Sequence, residues 1–152
     1  MLPDRIREDI EFEQEEIDSL FQLYQKELLD MEESPNQVEL IAVAGVLHSF
    51  YNGIEKILLI IANNIDKNIP SDLNWHKSLL EQMAKENKHR KAVLTRDMKN
   101  DLLKYLGFRH FFRHSYSFHL KWERMEELVK SIHNVWEKFK AEISTFDLET
   151  SS

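Results

Sequence analysis

The residues best suited to chemistry in this sequence lie close together, in residues 109–116. The segment reads Arg-His-Phe-Phe-Arg-His-Ser-Tyr, so two arginines, two histidines and a tyrosine fall within one short stretch. An arginine is always charged, and its planar fork matches phosphate oxygens. A histidine exchanges protons near neutral pH. These residue types suit metal-free cleavage of RNA, in which histidine assists attack by the ribose 2′-hydroxyl and arginine stabilises the charge that develops on the phosphate.

Helix geometry constrains how this segment can work. At 100° per residue, Arg109, Arg113 and Tyr116 fall within about 60° of one another, whereas Arg109 and His114 lie about 140° apart. A straight helix therefore does not aim Arg109 and His114 at one atom. Either the helix ends between them, or a second copy of the chain completes the site, as a symmetric dimer does naturally. We expect a homodimer whose cleft contains two copies of both residues.

Two other interpretations of the segment remain open. His110 and His114 stand four residues apart, as two metal ligands on one helix face do, and His119 could supply a third. The absence of acids from the segment and of cysteine from the chain disfavours a metal site. The other alternative is structural, with the segment capping a helix end and cross-linking the bundle. Three nearby phenylalanines could stack on bases but are predicted to belong to the core: Phe111, Phe112 and Phe118.

Charge is distributed unevenly along the chain. The net charge of -7 argues against a nucleic-acid ligand, yet residues 85–122 hold ten bases against three acids, with no acid from residue 102 to 122. Residues 1–39 hold thirteen acids and three bases. Phosphate contact needs a local positive field rather than a basic average. The alternative is that acidic and basic helices neutralise each other.

Length and composition predict a single domain, covering residues 1–146 with a fraying tail at 147–152. With no cysteine, a disulfide framework and a zinc ribbon are excluded. The charged N-terminus does not resemble a signal peptide, and no apolar run is long enough to span a bilayer. We therefore expect a cytoplasmic protein without a membrane partner.

Hydrophobic periodicity predicts an all-α, up-and-down bundle of four long helices plus a shorter one. The expected helices cover residues 3–32, 35–66, 74–87, a stretch from a Thr95 cap into the motif, and 119–145. The acids of the first helix, with Asp18 among them, are assigned to a solvated face.

The second helix is expected to lie at the centre of the bundle or to be shared with a second subunit, because it is apolar nearly all round. Ser34 is predicted to cap it, with Pro35 in its first turn and Gln37 closing a capping box. Gly45 and Gly53 are expected to allow close backbone approach. His48, which lies among these apolar residues, is interpreted as a satisfied core or interface histidine.

Residues 109–116 resemble the motif of the HEPN ribonucleases, in which an arginine and a polar residue precede a histidine. Arg109, His110 and His114 match in order and spacing. The HepT branch fixes the gap at four residues and adds a tyrosine two positions later, here Tyr116. Chain length, the bundle plan and residues 51–57 are also similar to that family, so the resemblance covers most of the chain.

The resemblance implies a HEPN-like bundle in which Arg109 and His114 cleave RNA in a dimer cleft without a cofactor, supported by His110. The protein would be the toxin of a type VII toxin–antitoxin pair, acting on tRNA or mRNA. An MntA-like nucleotidyltransferase antitoxin would silence it by transferring AMP from ATP to Tyr116. Arg113, to which the family pattern assigns no role, is taken as a further supporting cation.

A second function from another class stays open. Similar bundles serve as non-catalytic, substrate-binding subunits beside a separate nucleotidyltransferase. Such a subunit needs the bundle and a partner surface but not the arginine–histidine pair, so the intact motif favours the ribonuclease.

Overall fold

The computed structural model describes residues 1–116 and 119–150, which fold as an all-α bundle. Four long helices and one short one confirm the predicted architecture. Within the described ranges, none of the helices is both long and apolar enough to cross a membrane. The helices are α1 (Asp4–Tyr24), α2 (Gln37–Ile61), α3 (Trp75–Met83), α4 (Arg96–His114) and α5 (Trp122–Glu149).

The centre of the bundle is α2, which packs against each of the other four helices. Phe50 of α2 is fully buried and meets rings from three neighbouring helices edge-on. Its ring centroid lies 5.9 Å from Phe21 of α1, 5.4 Å from Tyr105 of α4 and 6.2 Å from Trp136 of α5. Burying a side chain of this size stabilises the fold by about 1.5–3 kcal/mol. These contacts confirm the prediction that α2 lies at the centre of the bundle.

The start of α2 differs from the prediction by two residues. Asn36, not Ser34, is the cap: its side chain accepts from the Glu39 backbone N–H at 2.9 Å, and Glu39 accepts from the Asn36 N–H at 3.0 Å. The predicted pair Ser34–Gln37 and the observed pair Asn36–Glu39 both fit the capping-box spacing. Glu39 adds a negative charge at the positive end of the helix dipole, which Gln37 cannot do. At the start of α4 the predicted Thr95 cap is confirmed, since its hydroxyl accepts from the Met98 N–H at 3.1 Å.

Helix ends carry the other differences. A π-helical turn follows both α1 and α2, at Gln25–Leu29 and Ala62–Asp66. At the other end of the chain, α5 continues past the predicted end at residue 145. Asp147 is held there because it accepts from the Leu2 backbone N–H at 2.6 Å and from Arg7 Nε at 3.1 Å. The division of the chain at residue 147 stays a prediction.

Two charged residues are not where the sequence placed them. Most acids of α1 are exposed as predicted, but the Asp18 carboxylate accepts from the indole N–H of Trp136 at 2.8 Å. Arg90 is fully buried and binds Asp66, with Nε–Oδ1 and Nη2–Oδ2 distances of 2.5 and 2.7 Å. Burial raises the pKa of Asp66, but the hydrogen bonds and charge of Arg90, with further hydrogen bonds from Gln82 and Asn87, outweigh it and lower that pKa. Arg90 therefore does not belong to the basic surface.

The two glycines of α2 face different surroundings. A Cβ added at Gly53 would lie 2.7 Å from side-chain carbons of Ile17, so α1 and α2 approach closely there. A Cβ added at Gly45 would meet nothing within 4 Å. The predicted close approach is therefore found at Gly53 and not at Gly45.

This difference predicts opposite effects of the same substitution. Gly45→Ala should raise the free energy of unfolding by about 0.5–1 kcal/mol, because alanine is the better helix former. Gly53→Ala should lower it, since overpacking a core costs about 1–3 kcal/mol and exceeds that gain. Urea unfolding followed by far-UV circular dichroism measures both. Effects of the same sign would contradict the packing of Gly53 against Ile17.

Candidate functional site

The predicted motif lies at the C-terminal end of one uninterrupted helix. The helix α4 runs from Arg96 to His114, and the chain leaves it at Ser115, which is extended with φ -120° and ψ 155°. The helix does not end between Arg109 and His114, so that alternative is wrong. On a continuous helix these two residues project about 140° apart.

The helix therefore sorts the motif onto two faces. We call Arg109 and Arg113 the arginine face, and His110 and His114 the histidine face. The two imidazole rings of the histidine face lie 4.5 Å apart between centroids, and both residues are exposed. His110 is thus brought beside His114, whereas Arg109 points towards α2.

Arg109 is anchored to the central helix. Its Nε donates to Asn52 Oδ1 at 2.8 Å, and Asn52 Nδ2 lies 3.1 Å from His48 Nε2, one turn earlier on α2. Within residues 1–116 and 119–150, the two terminal nitrogens of Arg109 make no hydrogen bond to protein. The anchor fixes the direction of the guanidinium and leaves its fork available to an anionic ligand.

The hydrogen-bond chain also determines where the protons lie. Arginine only donates, so the Asn52 oxygen must face Arg109 and the amide nitrogen must face His48. That nitrogen only donates, so His48 Nε2 must accept and the neutral ring carries its proton on Nδ1. The buried Nδ1 has no hydrogen-bond partner among the described residues. The interpretation of His48 as a satisfied histidine therefore holds for only one of its two nitrogens.

The surroundings of His48 favour its neutral form. The ring packs against Phe112 of α4, with centroids 5.3 Å apart. Burial lowers the pKa of His48, and the positive charges of Arg109 and Arg113 lower it further. The anchor of Arg109 is thus a neutral, partly buried polar chain.

Comparison with known families identifies the chain. The family model described as HepT-like protein matches residues 42–150, which include most of α2, the anchor of Arg109 and the whole motif. This HepT-like protein belongs to a HEPN-type toxin family. Comparisons with curated proteins and with solved structures give no match.

Sequence reasoning missed a polar stripe on α2 of this HepT-like protein. His48, Tyr51, Asn52 and Glu55 follow helical spacing and share one face of an otherwise apolar helix. Glu55 is buried and binds His76 Nδ1 at 2.7 Å. The buried Tyr51 hydroxyl has no hydrogen-bond partner in the described part of the chain. Burial and Glu55 raise the pKa of Tyr51, although Arg109 opposes them. Polar residues at helical spacing were the sign that could have revealed this stripe.

Tyr116 lies beyond the end of α4. The expectation that it shares a helical face with Arg109 and Arg113 is wrong, because Ser115 turns the chain into an extended conformation. The Tyr116 side chain is 72% exposed, and its ring meets that of His119 at 6.3 Å, nearly at right angles. The phenol is therefore accessible to a partner protein.

The two other interpretations of the motif fare differently. Arg109 does cross-link two helices, as the structural alternative expects, although it lies inside α4 and caps no helix end. Among the residues that the structure describes, no group of three or more His, Cys, Asp or Glu side chains is arranged to hold a metal ion. Phe111 and Phe112 are partly buried against the core as predicted, and Phe118 lies outside the described residues.

The anchor predicts a specific titration of His48. In this HepT-like protein the pKa of His48 should lie below its ordinary value of 6.5, and Arg109→Gln should raise it because a nearby positive charge is removed. NMR titration of the imidazole measures both, with Lys138→Gln as a distant control. Below pH about 6.5 the unfolded chain binds more protons here than the folded one, so the contribution of His48 to stability is lost as pH falls. Titration above 6.5 in the parent protein would contradict the anchor.

Proposed function

We propose that this HepT-like toxin is a metal-independent RNA endonuclease, silenced by AMP attached to Tyr116. The observation that carries the proposal is the anchored Arg109 fork on the same helix as the exposed pair of the histidine face. The first supplies a fixed positive charge for phosphate, and the second supplies imidazoles that can take or give a proton.

The proposed reaction needs only these groups. Arg109 binds the phosphate, and His114 accepts the proton of the neighbouring 2′-hydroxyl as its oxygen attacks phosphorus. The bond to the 5′-oxygen breaks, and that oxygen takes a proton from a protonated histidine or from water. The products end in a 2′,3′-cyclic phosphate and a 5′-hydroxyl. His110, beside His114, supports the second proton transfer, and Arg113 adds positive charge.

The two faces of α4 support a site shared between two copies of the chain. Arg109 and His114 of one copy diverge by about 140°, so one phosphate does not meet both. In a symmetric dimer with its axis near the motif, the arginine face of one copy opposes the histidine face of the other. The dimer cleft then contains two complete pairs, each with Arg109 from one copy and His114 from the other.

Cleavage should depend on both residues and not on metal. His114→Ala and Arg109→Ala should each lower the rate of RNA cleavage in EDTA by about 10²-fold or more, the usual loss of a proton-transfer or charge-stabilising group. Denaturing gels and analysis of product ends measure the rate and the cyclic phosphate. His89→Ala and Arg96→Ala, which change exposed residues outside the motif, are the controls. If the His114→Ala protein cleaves at the parent rate, the role assigned to His114 is wrong. If the parent protein cleaves nothing, the non-catalytic subunit becomes the better account.

A mixture of the two inactive variants tests the shared site. In a random mixture half of the dimers carry one copy of each variant, and one of their two sites combines the intact Arg109 with the intact His114. The mixture should therefore recover about a quarter of the parent rate. No recovery after confirmed subunit exchange, or a monomeric mass by sedimentation, would place both residues in one copy.

Silencing at Tyr116 has a simple chemical basis. The phenol oxygen would attack the α-phosphorus of ATP on the partner nucleotidyltransferase, lose its proton and displace pyrophosphate. The 72% exposure of Tyr116 supports access by such a partner. The attached AMP adds a negative phosphate and a base two residues from His114, where they would compete with RNA for Arg113 and block entry.

Tyr116→Phe should retain cleavage but escape the antitoxin, because the ring remains and the attacking oxygen is lost. Co-expression with the partner followed by intact-mass measurement should show added AMP on the parent protein and none on the variant. Tyr24→Phe, which changes another exposed tyrosine, should be modified like the parent. A fully silenced Tyr116→Phe protein would point to occlusion by binding rather than covalent modification.

A further inference from the structure

A cavity of about 370 Å³ lies between α4 and α5. Five apolar side chains form its lining, and the rings of Phe108 and Phe111 are among them. Three cations, Lys104, Lys121 and Arg124, are exposed at its edge. Neither the motif nor the family match assigns this cavity a ligand.

We infer that the cavity binds one base of single-stranded RNA together with its adjoining phosphate, next to the cleaved position. This inference rests on the proposed function and adds to it a residue-level binding subsite. RNA is favoured over a protein partner because the aromatic lining suits a base and the cations at the edge suit its phosphate.

The lining suits a base. The volume lies within the range of about 300–1,000 Å³ that is typical of small-molecule pockets. Phe111 is half buried, so part of its ring is accessible from the cavity, while Phe108 is buried behind it and stacks on Phe112 at 6.1 Å. Stacking on an aromatic ring tolerates any base, because every base has a flat face.

The edge suits a phosphate. The only acid lining the cavity among the described residues is Glu127, whose carboxylate lies 3.6 Å from Lys104 Nζ. Both side chains of that pair are largely exposed, at 59% and 80%, so the pair is weak and readily exchanged for a phosphate. Lys121 and Arg124 leave the edge with a net positive charge.

The position of the cavity places the subsite beside the proposed cleavage site. Phe111 and His114 are three residues apart on α4, which sets their Cβ atoms about 5–6 Å apart and their directions about 60° apart. Arg109 projects about 160° from Phe111, on the far side of the helix. An RNA strand that leaves His114 along the exposed surface of α4 therefore reaches this cavity next.

The test measures binding without cleavage. Short 2′-O-methyl RNA lacks the attacking hydroxyl, and its affinity for the full chain can be followed by fluorescence anisotropy in EDTA. Phe111→Leu keeps an apolar side chain but removes the stacking face, and Arg124→Glu reverses one edge charge. Matched controls are Phe12→Leu on α1 and Lys138→Glu, about 21 Å further along α5. Thermal unfolding verifies that all four variants are folded.

Phe111→Leu should weaken binding about fivefold or more, the loss expected for one stacked base. A set of RNAs that each lack one base should locate the base that the cavity binds. Loss of that base should weaken binding to the parent protein but not to Phe111→Leu. Arg124→Glu should weaken binding and reduce the slope of log affinity against log salt by about 0.7, one phosphate contact on a single strand.

Binding by both variants equal to their controls would overturn the subsite. Loss of antitoxin capture by Arg124→Glu with RNA binding unchanged would also overturn it, since a protein would then occupy the cavity. Cleavage of ordinary RNA by the parent, measured in parallel, keeps these failures distinct from failure of the proposed function.

Discussion

The arrangement of the bundle depends on the burial of α2. A helix that is apolar on most of its surface cannot leave that surface in water without a large cost, so other helices must cover most of it. The same burial makes every polar group on α2 expensive unless it finds a partner. Asn52 and Glu55 find partners on α4 and α3, and Asn52 thereby fixes Arg109. The geometry of the candidate site is a consequence of how the central helix satisfies its few polar side chains.

Local patterns were enough to predict the fold. The number and order of the helices, the central place of α2 and the Thr95 cap all follow from periodicity and from short-range capping preferences. The errors arose where two local patterns compete or where a residue distant in sequence determines the position of a side chain. Ser34–Gln37 and Asn36–Glu39 both fit the capping-box spacing, and the structure uses the second pair. The sequence around Arg90 is typical of a surface cation, but Arg90 is buried in an ion pair with Asp66. No local rule anticipates the pairing of residues that are distant in sequence.

The site was predictable in part for the same reason. Spacing alone placed Arg109 and His114 on different faces of α4, and the continuous helix keeps them there. The partner of Arg109 is fifty-seven residues away, so its identity required the fold. The predicted position of Tyr116 was wrong because the value of 100° per residue applies only within a helix. The helix α4 ends at His114, and the next residue, Ser115, is extended.

The separation of charge along the chain has a kinetic consequence. Exposed acids cover α1, whereas the C-terminal part of α4 and Lys121, just before α5, expose cations. The molecule therefore carries an electric dipole in addition to its net charge of -7. A polyanion that approaches the acidic side is repelled, and one that approaches the basic side is drawn in already oriented. Salt shortens the reach of this field to about 8 Å at physiological ionic strength, so its effect falls on the speed of capture rather than on how long a bound strand stays.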